Sequence, residues 1–153
     1  MSTPSTAKAI KAALVTDCQA LWPDPVVVFY GPVGIYEPDD YAEILDVSLS
    51  EGAPRLGSGR KRWHEFTVTG RLTTYRGGDE TVQQTVTEAA LDYLAQLADW
   101  LQDSGTVPST HTNLGGIVHW ARLSSFDLTE EDEDIEDGRK TYIDFEVTGE
   151  VVA

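Results

Sequence analysis

One cysteine and only eleven basic residues occur in 153 positions, and each scarcity closes off a class of function. The lone Cys18 cannot form an intramolecular disulfide. With no His or Cys beside it at metal-ligand spacing, it offers no zinc site either. It is expected to be a buried structural thiol, since free cysteine packs as a small core residue. Eleven Lys and Arg against 26 Asp and Glu give a formal net charge of −15. That balance excludes non-specific wrapping of nucleic acid, where basic side chains must displace counterions from phosphates. It also keeps a free subunit soluble and opposes self-association until a specific contact wins. No apolar run approaches the ~20 residues needed to span a bilayer. The opening Met1-Ser2-Thr3-Pro4 lacks the basic-then-apolar build of a secretory signal, so a soluble protein made in a cytoplasm is expected.

Signatures of catalysis are absent as well. There is no P-loop, no GxSxG elbow and no CxxC pair. His64, His111 and His119 fall on a strand start, a loop and a strand without HxH or HExxH spacing, and a general base needs a partner within hydrogen-bond reach. The expectation is a non-enzyme with no catalytic residue, metal or cofactor.

What the sequence does carry is one domain's worth of periodic structure. Ile10, Leu14, Cys18 and Leu21 recur at helical spacing over residues 7–21, with Thr3 and Pro4 suited to the start and Pro23 and Pro25 to the stop. Residues 26–30, Val-Val-Val-Phe-Tyr, read as a buried strand closed by Gly31 and Pro32. Further on, Ile44, Asp46, Ser48 and Ser50 alternate against Leu45, Val47 and Leu49, a half-buried strand. Residues 63–75 alternate again, with Phe66, Val68, Gly70 and Leu72 opposed to Glu65, Thr67, Thr69, Arg71 and Thr73. After Gly77 and Gly78, Asp79 can cap a long helix carrying Val82, Val86, Ala89, Ala90, Tyr93, Leu94, Leu97, Trp100 and Leu101, broken by Gly105 and Pro108. Two more strand patterns, residues 116–128 and 140–152, make a hairpin around an acidic segment. The second sets Ile143, Phe145, Val147 and Val151 against Tyr142, Asp144, Glu146, Thr148 and Glu150. This order predicts a single α+β domain over residues 1–153: an antiparallel or mixed sheet of four to five strands with both helices on one face, because a sheet with one apolar face needs a lid.

Two charged clusters stand out from this frame. The acidic run holds Glu130, Glu131, Asp132, Glu133, Asp134, Glu136 and Asp137. An EF-hand reading fails on register: with Asp132 at loop position one, Asp137 occupies the sixth position, where glycine is required, and no glutamate stands at the twelfth. The run is expected to be a solvated hairpin tip, or an acidic surface lining a channel past which DNA moves without sticking. Arg55, Arg60, Lys61 and Arg62, four of the eleven basic residues, gather in or beside one Gly-rich loop. Only Trp63 is an adjacent aromatic platform, so nucleic-acid binding is disfavoured. A charge-complementary contact with acidic surface on a neighbouring copy fits better, making Arg55, Arg60, Lys61, Arg62 and Trp63 the expected subunit interface.

The layout as a whole resembles the tail terminator proteins of siphophages. The resemblance lies in the opening helix around Ala9-Ile10-Lys11-Ala12-Ala13-Leu14 leading to Val28-Phe29-Tyr30-Gly31-Pro32, and in a Gly-Arg loop feeding Glu65-Phe66-Thr67-Val68. The long second helix and the closing Gly138-Arg139-Lys140-Thr141-Tyr142-Ile143-Asp144-Phe145-Glu146-Val147 complete it. It implies a homo-oligomeric ring, a hexamer, that caps the tail tube, ends its polymerisation and forms the tail side of the head-tail interface. Its implied partners are further copies of the chain, the major tail tube protein and a head-closure or neck protein, with phage DNA passing through the lumen unbound and no membrane. Its implied place is the virion, at the tail or neck, after assembly in the bacterial cytoplasm. Other phage neck proteins, for head closure or head-tail joining, share this build and are the nearest alternative; an acidic DNA-mimic module is a more distant one.

Overall fold

The computed structural model describes residues 3–34, 38–51, 63–102, 113–131 and 138–152. Its first element, α1 (Thr3–Leu21), places Pro4 in the first turn, where a missing amide proton costs nothing. Ile10, Leu14 and Cys18 point inward and are fully buried. The chain then forms β1 (Val27–Tyr30), β2 (Asp40–Glu51) and β3 (Trp63–Gly77). A short 3₁₀ turn, capped by the Asp79 carboxylate accepting from the Thr81 amide, leads into α2 (Gln83–Gln102). A second 3₁₀ turn at Leu114–Gly116 precedes β4 (Trp120–Glu131) and β5 (Gly138–Val152).

The five strands form one sheet in the order β1-β2-β3-β5-β4. Only β1 and β2 run parallel; every other pairing is antiparallel, so the sheet is mixed. Both helices cover the same face, α1 against β1 and β2, α2 against β3, β4 and β5, as the α+β reading requires. Between them lie Ala42, Ile44, Phe66, Val68, Leu72, Ile143, Phe145 and Val147 from the sheet, with Leu14, Val86, Ala90, Leu94, Leu97 and Leu101 from the helices. Each fully buried aliphatic of this kind contributes about 1.5–3 kcal/mol. Polar ties fix the layers: the Trp22 indole donates to the Tyr93 carbonyl at 3.1 Å, and the Thr74 hydroxyl to the Val86 carbonyl at 3.0 Å. Among the described residues no helix is long and apolar enough to cross a membrane.

Three expectations need correction. β1 is a half-buried four-residue edge strand and not a buried one, because only β2 flanks it. Residues 114–119 form a 3₁₀ turn and connection, so β4 starts at Trp120 and Ile117 is 40% exposed. In β2, Ile44 does not share a face with Asp46, Ser48 and Ser50. A bulge between Ile44 and Val47 inserts one residue, so Ile44 joins Val47 and Leu49 on the core side. A one-residue slip moves every later side chain to the other face.

Candidate functional site

The sequence-predicted residues divide between described and undescribed segments. Arg55, Arg60, Lys61 and Arg62 lie outside the described residues, as do Asp132, Glu133, Asp134, Glu136, Asp137 and His111. Trp63 opens β3 and meets the His119 ring edge-on, with centroids 4.9 Å apart. Glu130 and Glu131 are strand residues at the end of β4 and not part of a free tip. Glu130 accepts from the Thr87 hydroxyl of α2 at 2.8 Å, and together with Glu80, Gln83, Glu131 and Arg139 it lines a shallow notch of about 430 Å³. Strand directions place the 51/63 hairpin connection and the 131/138 connection at opposite ends of the sheet. The basic and acidic clusters therefore root far apart, since β3 alone spans about 46 Å at ~3.3 Å per residue.

The helix-free face of the sheet carries the feature that sequence patterns did not reveal. β2 holds Leu45 and Asp46 where β3 has the single residue Thr69, and β4 holds Ser124 and Ser125 where β5 has the single residue Glu146. Thr69 and Glu146 are themselves register partners. Two bulges thus fall on one line across the sheet, between the row Ile44, Gly70, Phe145, Phe126 and the row Val47, Val68, Val147, Leu123. A bulge bends its strand and increases local twist. Aligned in this way, the two crease the sheet. Side chains satisfy the irregular backbone: the Asp46 amide donates to Thr69 Oγ1 at 3.1 Å, Ser124 Oγ to the Glu146 carbonyl at 3.2 Å and Ser125 Oγ to Glu146 Oε2 at 3.3 Å.

At the crease lies a depression of about 230 Å³ lined by Leu45, Thr69, Ser125, Asp127, Asp144 and Glu146 above Gly70 and Phe145. Asp127 and Asp144 are direct cross-strand partners, so two carboxylates face each other. Asp144 has its cation: Arg71 Nε donates to Oδ1 at 2.7 Å and Nη2 to Oδ2 at 3.3 Å, while the guanidinium sits 4.5 Å from the Tyr142 ring centroid. The Asp144 hydrogen bond is the main reason that the Arg71 pKa is raised. Among the described residues, neither Asp127 nor Glu146 has a cationic partner.

The two outer edges of the sheet complete the surface. Among the described residues β4 pairs only with β5, leaving its other edge without a partner strand along twelve residues, with Phe126 on it 52% exposed. On the opposite side, β1 covers β2 only from Tyr41 to Ile44, so the outer edge of residues 45–51 is also unpaired by any described strand. No protein-family model and no curated protein matches the chain. Among solved structures it is similar to a chain from the virion of a native gene transfer agent particle. The identity is 15%, the match covers 94% of this chain and 92% of that one, and the TM-score is 0.37. At that score the likeness carries no functional argument.

Away from the crease, Asp40 and Cys18 are buried in the core. Asp40, 2% exposed, accepts from both terminal guanidinium nitrogens of Arg76 and from the Tyr93 hydroxyl at 3.0 Å. Cys18 is buried, and loss of solvation raises its thiol pKa far above the ordinary value, so it stays protonated. Among the described residues no group of three or more His, Cys, Asp or Glu is arranged to hold a metal ion. The crease and the Asp40 network both escape sequence reading. Each depends on register, and only the polar alternation of β3 and β5 hinted that one face of the sheet would be open.

Proposed function

We propose that the chain is a structural, non-catalytic phage protein that closes into a homo-oligomeric ring on the end of a tail tube, in the manner of a tail terminator. The observation that carries this reading is the pair of open edges on one sheet. β2 runs antiparallel to β4, so two copies in the same orientation can pair β4 of one with residues 45–51 of the next, antiparallel and without inverting either copy. Such a contact is heterologous. It uses a different surface on each partner and closes into a ring when the rotation per step divides the circle. A long open edge presents a row of unpaired amides and carbonyls, a ready template for a further strand. The element order that resembles siphophage tail terminators supports the same reading. It implies six copies, with the tube protein and a head-closure or neck protein as the partners.

The test is assembly, alone and with tube protein. Light scattering and negative-stain imaging of the purified chain, and of the chain mixed with polymerising tube subunits from the same virion, are expected to show closed rings in one or both preparations. Rings should sit at one end of tubes whose growth has stopped. Phe126→Lys places a charge on the open edge and, because the side chain is half exposed, should change Tm little while abolishing rings. Absence of rings in both preparations, or capture by a head-side neck protein with no effect on tubes, overturns the terminator reading.

A further inference from the structure

The helix-free face of the sheet has a defined occupant in prospect, and the charges of the chain identify it. The described cations are largely committed within their own subunit. Arg71 pairs with Asp144, Arg76 with Asp40 and Arg139 lies 3.9 Å from Glu80, while Lys11 stands 4.2 Å from the Tyr30 ring centroid and Arg122 5.4 Å from that of Trp120. The basic residues in the undescribed segment are Arg55, Arg60, Lys61 and Arg62, within the eleven residues that connect β2 to β3. The crease offers the matching deficit. Asp127, Asp144 and Glu146 bring three carboxylates to one depression and Arg71 neutralises one, leaving two negative charges beside the Ser125 and Thr69 hydroxyls.

Position selects a second copy over the same one. The carboxylates without a cation sit on β4 and β5, at the open edge, whereas the basic segment of the same subunit roots between β2 and β3. Arg71, paired with Asp144, lies in the same cross-strand row as Asp127 and flanks the depression on the β3 side, so the carboxylates without a cation face the β4 side. A neighbour meeting the β4 edge arrives at Ser125 and Asp127 first. If its β2 pairs with β4 as proposed above, its 51/63 connection leaves from the strand beside the crease.

We infer that the crease formed by the two aligned bulges is the docking site for the basic segment, Arg55 to Arg62, of an adjacent copy. Arg or Lys side chains would enter between Asp127 and Glu146. This rests on the ring reading for the direction of approach and adds the identity of the two surfaces that meet. Charge pairing of this type sets register and suppresses wrong docking, because like charges brought together repel. The docking would select among the slipped registers that strand pairing alone leaves nearly equivalent.

Directed crosslinking of the full chain tests it. Gly59→Cys and Ser125→Cys are prepared separately, mixed and oxidised; buried Cys18 takes no part. A product of twice the chain mass is expected from the mixture, well above that from either variant alone or from Gly59→Cys mixed with Gln102→Cys, whose cysteine stands on exposed α2 surface. Adding Asp127→Lys and Glu146→Lys to the Ser125→Cys chain should lower the yield about tenfold or more, as should Arg60→Glu, Lys61→Glu and Arg62→Glu in the Gly59→Cys chain. Combining the two reversed chains should restore it. A yield indifferent to all reversals, or a Gly59→Cys/Ser125→Cys chain that closes on itself as a monomer in place of the mixed product, overturns the inference. Rings seen by microscopy without the crosslink defeat this docking alone. The crosslink without rings or tube capture defeats the ring reading alone.

Discussion

At the scale of single residues, the most exacting position is Asp40. A carboxylate 2% exposed at the start of β2 must be compensated, and Arg76 with Tyr93 does so from β3 and α2, joining three elements at one end of the core. Arg76→Ala strips the cation and leaves the Tyr93 hydroxyl as the remaining side-chain donor of the trio. Breaking a buried pair usually costs about 3–5 kcal/mol; with the Arg76 side chain 34% exposed and the Tyr93 bond kept, about 2–3 kcal/mol is expected by urea denaturation. Burial, and then the neighbouring Asp40 charge, raise the Tyr93 pKa above that of a free phenol. The unfolded chain therefore releases this proton first, so stability is intact below about pH 10 and falls as pH rises beyond it. Phenolate absorbance should show a late-ionising component that is lost in Tyr93→Phe. Cys18, by contrast, was legible from sequence, because an isolated thiol at helical spacing with Leu14 and Leu21 has little to do but pack.

At the scale of elements, periodicity carried the long pieces and failed where the backbone departs from it. The alternation of Phe66, Val68 and Leu72, and of Ile143, Phe145 and Val147, survives into the structure because β3 and β5 are central strands, held in register on both sides. Among the described residues β4 lacks a partner strand along one edge and β2 lacks one beyond Ile44, and each absorbs an extra residue. The bulge in β2 puts Ile44 on the core side with Val47, against simple alternation, whereas the 3₁₀ turn at Leu114–Gly116 delays the start of β4 to Trp120. Gly70 sits on the crease for a reason the sequence could not supply: a Cβ there would meet the Phe145 ring, and Phe145 is 1% exposed with no room to yield. Gly70→Ala should destabilise the fold by about 1–3 kcal/mol in urea or thermal melts, as overpacking does. Gly70→Ala with Phe145→Leu should recover part of that loss, because the clash is with the far ring atoms. A Gly70→Ala chain as stable as the parent would mean that the two central strands separate at the crease more easily than their packing implies.

At the scale of the whole molecule, net charge and local charge pull in opposite directions. Subunits at −15 repel over a range set by the Debye length, about 8 Å at 0.15 M salt and about 3 Å at 1 M. Contacts between a basic segment and the crease act at hydrogen-bond range and lose strength only when screening reaches that distance. Raising salt from about 0.01 M should first favour assembly, as long-range repulsion is removed, and then oppose it near 1 M, as the docked pairs are screened. Ring yield against salt, read by light scattering on one preparation, is thus expected to pass through a maximum at intermediate ionic strength. The charge-reversed crease variant lacks the attractive pairs and keeps the repulsion, so its yield should only rise with salt, from a low start. A parent curve that rises without limit would assign the contact to strand pairing and apolar burial alone, with the basic segment left for some other partner. A parent curve that only falls would mean that the net charge of the chain does not restrain its association.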